Sequence, residues 1–120
     1  MRPARPIPLL IGGHSDVALG RAGRLGDGWL AQQSLNELQP DELVSGRRAM
    51  LASAERAGRD PGRLRLVLRI VDSAGRADEL AAALPALARA GVSEVIVDLR
   101  WDGSDQAADV AALRAGAERT

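Results

Sequence analysis

The chain has 120 residues and a mass of 12.6 kDa, which is the size of one domain with its own hydrophobic core. Sixteen acidic residues balance sixteen basic ones, all of them Arg, so no net charge attracts nucleic acid or an anionic membrane. The chain has no Cys and one His, which excludes disulfides, thiolate catalysis and zinc sites built from Cys or several His.

The first two predicted units each join a short apolar strand to a helix. Residues 7–11 form the first apolar run, and Ser15 after it is placed to cap a helix that stops at Gly26. The second strand, at about residues 28–32, precedes a polar loop and a helix that begins at Pro40. Each unit therefore has its own start and stop signals.

The last two units follow the same order. The third strand, residues 64–71, places Arg65 and Arg69 on one face, and Pro85 inside the helix that begins near Ala77 predicts a kink or a break. The fourth strand, residues 92–99, contains a β-branched run that is typical of strands buried on both sheet faces. The last helix is predicted to have Ser104 or Asp105 as its cap and Val110, Leu113 and Ala117 on one side.

This alternation predicts an α/β fold with a parallel sheet and right-handed crossovers, in a single domain over residues 1–120. Two architectures fit: a small open, doubly wound sheet, and half of a TIM-type (β/α)8 barrel, since a whole barrel has about 250 residues. Composition does not choose between them. No apolar run reaches the roughly 18 residues of a membrane span and no signal peptide is evident, so we expect a cytoplasmic protein without a membrane partner.

The strongest candidate site follows the first strand, where Gly12 and Gly13 precede His14 and Ser15. Glycines allow close approach to the backbone, and the amides and positive dipole of a helix start favour a phosphate. A tight turn without a ligand is the alternative, because neither a Walker loop nor a Gly-x-Gly-x-x-Gly motif is present. His14 would lie at the carboxyl edge of the sheet, either as a ligand contact or as an exposed loop residue.

Further polar residues would converge on the same edge if the strands are parallel. None of them forms a catalytic triad with its neighbours, so the catalytic residues stay unassigned. Asp98 with Arg100 is either a ligand contact or a surface ion pair. The other residues of this edge are Gln32, Gln33, Asp72, Ser73 and Trp101. Apart from this edge, we interpret Asp27 as a turn residue, with a ligand contact as the alternative.

A series of motifs covers nearly the whole chain. Gly-Gly-His-Ser at residues 12–15 leads to Arg-Ala-Gly-Arg-Leu-Gly-Asp-Gly-Trp at residues 21–29, and less specific segments follow at residues 57–61 and 90–99. Together they resemble the luciferase-like monooxygenase family of flavin- and deazaflavin-dependent oxidoreductases. Gly20 and Gly23 replace the Arg and Ala usual in that family, which predicts a looser first helix.

The resemblance implies a (β/α) barrel in which this chain supplies the fifth to eighth βα units. It implies that Gly12, Gly13, His14 and Ser15 help bind the phosphate-bearing tail of FMN or of the deazaflavin coenzyme F420. The expected function is that of the C-terminal part of an oxidoreductase that passes a hydride to or from this cofactor.

The family's first four βα units, which supply the substrate pocket and dimer contacts, have no counterpart in this chain. The alternative function is therefore a non-catalytic half barrel that keeps at most residual phosphate or cofactor binding. Open strand edges predict that it forms a homodimer with eight strands, or binds a partner that supplies the other half.

Overall fold

A computed structural model describes residues 6–99 and 106–118. Within these residues four strands alternate with four α-helices, and two 3-10 turns, Leu35–Glu37 and Pro61–Arg63, lie in the connections. The elements in chain order are β1 (Leu10–Gly12), α1 (Asp16–Leu25), β2 (Gly28–Ser34), α2 (Pro40–Arg56), β3 (Arg65–Val71), α3 (Ala77–Arg89), β4 (Glu94–Val97) and α4 (Gln106–Glu118).

The strands form one parallel sheet in the order β1-β2-β3-β4. Every crossover therefore steps to the next strand in the same direction, and right-handed crossovers then place all the connecting helices on one face. A doubly wound sheet needs a reversal of strand order, which this sheet does not have in its described residues. The α/β prediction is confirmed, and the arrangement is that of consecutive units of a (β/α) barrel.

Strand boundaries differ from the predictions at the first two strands and at the last, since β4 spans Glu94–Val97 rather than residues 92–99. The carboxylate of Asp27 accepts the Leu9 amide at 2.7 Å, and the Leu9 carbonyl accepts the Asp27 amide at 2.7 Å, so the ladder of β1 begins after Leu9 rather than at residue 7. At the other end, β2 continues to Ser34, whose hydroxyl accepts the Asn36 amide and starts a 3-10 turn. The predicted cap of α1 is confirmed, since Ser15 Oγ accepts the Ala18 amide at 3.1 Å.

The hydrophobic core lies between the sheet and the helices. On β3, Leu66, Leu68 and Ile70 point to the helices, while Arg65 and Arg69 lie on the other face, as predicted. We call these the helix face and the inner face of the sheet. The largest side chain of the core is that of Trp29 on β2, which packs so closely on Gly46 of α2 that a Cβ there would lie 2.5 Å from its ring.

The prediction that the β-branched run of β4 is buried on both faces is wrong. Ile96 on the inner face is 46% exposed, and Val95 on the helix face is 37% exposed. The reason is position: β4 is the outer strand of the described sheet, whereas Val67 on the inner face of the central strand β3 is 2% exposed. β-branched composition reflects strand preference, whereas burial depends on what packs against the strand.

Helix α3 runs unbroken through Pro85, so the predicted break is wrong. Proline cannot supply the helical donor for the carbonyl of Ala81, and Gly116 of α4 approaches closely at that point, where a Cβ would lie 2.6 Å from this carbonyl oxygen. Of the predicted apolar side of α4, Leu113 is partly buried and packs against the core, whereas Val110 and Ala117 are exposed. The buried residues of this helix are Asp109 and Gly116. Its predicted caps, Ser104 and Asp105, lie outside the described residues.

Helices α1 and α2 pack at glycines. A Cβ on Gly23 would lie 2.1 Å from the carbonyl oxygen of Met50, whereas a Cβ on Gly20 would have ordinary contacts only. Two side chains of the α2 region bind the α1 backbone: Ser53 Oγ donates to the Gly20 carbonyl at 2.8 Å and Arg59 Nη1 to the Gly23 carbonyl at 2.7 Å. Gly23 is therefore a close-packing residue. Across the described part of the chain, no helix is both long and apolar enough to cross a bilayer.

Candidate functional site

The candidate phosphate site lies where β1 ends and α1 begins. Gly13 has φ +107°, in the left-handed region that glycine tolerates best, and a Cβ there would lie 3.0 Å from the Cβ of Ala18. The chain turns at this glycine so that α1 starts directly behind it. The turn itself requires Gly13, which agrees with the tight-turn interpretation. The glycine alone is therefore no evidence for a ligand, and that evidence has to come from the groups around it.

Trp29 holds this turn from the neighbouring strand. Its indole Nε1 donates to the Gly13 carbonyl at 2.7 Å, and the ring is fully buried in the core. The carbonyl therefore points toward the helix-covered layer. Ser15 Oγ is used by the Ala18 amide, so this hydroxyl acts as a cap, while the remaining first-turn amides of a helix have no intrahelical acceptor.

His14 is exposed but fixed in place. Its Nε2 accepts the backbone amide of Gln32 at 3.2 Å, and its ring packs edge-on against Trp29 with centroids 5.5 Å apart. Its other ring nitrogen, Nδ1, makes no hydrogen bond with any described residue. The imidazole thus links the end of β1 to β2, and its role as a ligand contact stays a prediction.

The predicted edge residues separate into two groups. Gln32 lies beside His14, while Gln33 is buried, with its amide group bonded to the backbone of Gln39. Asp72 and Ser73 follow β3, and Asp27 lies at the opposite end of β2, where it binds Leu9. Asp27 is therefore a structural residue away from the candidate site.

A polar network at the ends of β2 and β3 was missed by the sequence analysis. Ser34 Oγ donates to Asp72 Oδ2 at 2.7 Å, and Arg76 Nη1 donates to Asn36 Oδ1 at 2.6 Å and to the Asp72 carbonyl at 3.1 Å. Asp72 has φ 62°, an uncommon value for a residue other than glycine, which this network stabilises. No local motif indicates it, because its members are far apart in the chain.

Arg76 also forms an ion pair with Glu79, through Nη2 at 2.7 Å and Nε at 3.3 Å. Mainly through these hydrogen bonds, the pair lowers the pKa of the Glu79 carboxyl and raises the pKa of the Arg76 guanidinium. Both groups stay charged at neutral pH. The pair fixes Arg76 at the start of α3, from where it reaches Asn36 and Asp72.

Asp98 forms an ion pair with Arg69, and its predicted partner Arg100 stays untested. Arg100 lies outside the described residues, and Asp98 Oδ2 lies 3.8 Å from Arg69 Nη2 across the inner face. A second pair, Arg65 with Glu94, lies on the same face at 3.6 Å. The backbone of Asp98 is held by Ser73, whose buried Oγ accepts its amide at 3.2 Å and donates to its carbonyl at 3.3 Å.

The family model for luciferase-like monooxygenases matches residues 1–119. Two uncharacterized proteins, one of Mycobacterium tuberculosis (strain H37Rv) and one of Mycobacterium bovis, are each 51% identical over 41 residues, which is 34% of this chain and 12% of either relative. The coenzyme F420 dependent tetrahydromethanopterin reductase of Methanopyrus kandleri has a TM-score of 0.67 at 15% identity, over 92% of this chain and 49% of that chain. The chain thus spans about half the length of that reductase, and a likeness at this identity shows the fold alone.

Proposed function

Because the chain belongs to the luciferase-like monooxygenase family, we propose that it supplies the phosphate-binding part of a site for a flavin or deazaflavin cofactor. The observation that carries this proposal is the turn at Gly13, which brings the start of α1 to the carboxyl edge of the sheet. Such a cofactor, when bound, accepts or donates a hydride. The residues of this chain bind and orient it.

The residues present fit a phosphate group. Gly12 is exposed and has no side chain in the way, and a Cβ on Gly13 would already crowd Ala18. Helix starts favour anions through their free amides and the positive end of the helix dipole. Trp29 fixes the Gly13 carbonyl on the side of the core, which removes one negative dipole from the space that the phosphate would enter.

FMN and coenzyme F420 share a phosphate, so the test uses both. We expect each to bind the protein, and Gly13→Asp should weaken the affinity by more than tenfold, or about 1.4 kcal/mol, relative to the uncharged Gly13→Asn, which strains the turn equally without adding charge. The matched control is Gly58→Asp, which places the same charge at another glycine with positive φ (+75°), one with open space around it at the far end of α2. Affinity is measured from the quenching of cofactor fluorescence.

Equal affinities for the wild type and Gly13→Asp would contradict the proposal, and so would equal losses in both variants. In the first case the phosphate does not lie at this turn. In the second case the loss comes from net charge or stability, which thermal unfolding of the two variants would show.

A second candidate function, self-association as a non-catalytic half barrel, rests on a different observation. Exposed apolar side chains lie at both outer strands of the described sheet: Ile7 and Leu9 just before β1, and Val95 and Ile96 on β4. We propose that β4 of one copy pairs with β1 of another, which would cover both edges. Native mass spectrometry tests this: multiples of 12.6 kDa support pairing, and a monomer at tens of micromolar overturns it.

A further inference from the structure

The inner face of the sheet carries two ion pairs, each between an Arg of β3 and a carboxylate of the β4 segment, at different positions along the strands. Arg65 pairs with Glu94 at 3.6 Å, and Arg69 pairs with Asp98 at 3.8 Å. All four side chains are about half exposed. Each pair is a single contact longer than a hydrogen bond, and neither guanidinium donates a hydrogen bond to a residue within 6–99 or 106–118. Among the described residues, most donors of both arginines therefore have no hydrogen-bond partner.

The two arginines differ in their position along β3. Arg65 lies opposite Gly28, at the amino end of β2, whereas Arg69 lies opposite Gln32. The amide of Gln32 binds His14, so Arg69 belongs to the row of residues that contains the candidate phosphate site. Four residues of a parallel strand span about 13 Å, which separates Arg65 from this row. At about 4.8 Å per strand, the backbone of Arg69 lies about 10 Å from that of His14.

Asp98 is a fixed and weak partner for Arg69. Its backbone amide donates to the buried Ser73 Oγ at 3.2 Å, and this hydrogen bond opposes a backbone shift that would carry the carboxylate along with the arginine. The guanidinium, by contrast, lies at the end of a long flexible side chain. A carboxylate or phosphate that binds it with two parallel hydrogen bonds would form a stronger contact than the single one at 3.8 Å.

From this geometry we infer that Arg69 is an anion-binding residue on the inner face, which receives a carboxylate or phosphate oxygen of a ligand bound at the carboxyl edge of the sheet. The inference rests on the proposed function for the place of that ligand beside the cofactor. The anion belongs either to a second acidic group of the cofactor or to an anionic substrate. Arg65 is also half exposed and also pairs with a carboxylate, but it lies at the amino end of the strands, far from the candidate site. It is therefore the matched control.

The experiment follows the side-chain Nε signals of the arginines by NMR while inorganic phosphate is added to the 15N-labelled protein. We expect the Arg69 signal to shift and saturate, while the Arg65 signal stays near its starting position. Arg69→Gln should weaken the saturating phosphate response of its neighbours by at least tenfold, and Arg65→Gln should leave it unchanged. Equal shifts at both arginines, or no saturation at Arg69, would overturn the inference.

Cofactor then distinguishes the two sources of the anion. If FMN or coenzyme F420 releases phosphate from Arg69, the anion is the cofactor's own, and if phosphate stays bound beside the cofactor, it is a substrate group. Both results support the subsite. Failure of either cofactor to bind would contradict the proposed function, while the phosphate response of Arg69 would still decide the subsite.

Discussion

The two faces of the sheet are made from the same strands and differ in what surrounds them. On the helix face, Leu68 and Trp29 are almost fully buried, and burial of such a side chain contributes about 1.5–3 kcal/mol. On the inner face, Arg69 and Ile96 are about half exposed. Packing therefore determines which residues the helix face can hold, whereas the inner face holds charged side chains that stay partly in solvent, although Val67 at its centre is buried.

The largest expected effect tests that contrast directly. Leu68→Ala should lower the free energy of unfolding by about 2–5 kcal/mol, because it leaves a cavity between the sheet and the helices. The matched change on the inner face, Ile96→Ala, should cost less than about 1 kcal/mol in the monomer. Urea unfolding measures both. A cost at Ile96 that rises with protein concentration would show that a second copy covers the inner face.

A smaller effect is expected where helices α1 and α2 pack against each other. Gly23→Ala should lower the free energy of unfolding by about 1–3 kcal/mol, because its Cβ would meet the Met50 backbone and force α1 away from α2. Gly20→Ala on the same helix should raise it by about 0.5–1 kcal/mol, since the space is open and Ala favours a helix. Thermal unfolding of the two variants checks the sign; equal signs would contradict the close packing at Gly23.

The smallest expected effect lies at the exposed edge, where Arg76 lowers the pKa of Glu79. A lowered folded-state pKa stabilises the fold above the carboxyl's unfolded pKa, and this contribution is lost as the pH falls through the folded value. The difference in stability between the wild type and Glu79→Gln should therefore be present at neutral pH and vanish in acid. Asp78→Asn, in the same first turn of α3, is the control. A difference independent of pH would contradict the ion pair.

Much of the fold could be predicted because its signals are local. Ser15 and Gly26 bound α1 by their own hydrogen bonds, and the alternation of strands and helices led to the parallel sheet. Burial was harder to predict. The sequence of β4 indicates a strand, yet the exposure of Ile96 depends on which elements cover it.

The candidate site shows the same division. Gly13 and its turn follow from the sequence, whereas the indole of Trp29 that holds the turn comes from the next strand. The network of Asn36, Asp72 and Arg76 depends on strand register, which no local pattern specifies. Residues that act through neighbours in space were therefore the ones that sequence reasoning missed.

The order of the strands has a consequence for biosynthesis. Each strand pairs with the one made just before it, so the order of pairing is the order in which a ribosome releases the chain. When β3 or β4 is synthesised, the strand that it pairs with has already been made. No pairing in the described sheet has to wait for a strand that lies further along the chain than its immediate neighbour.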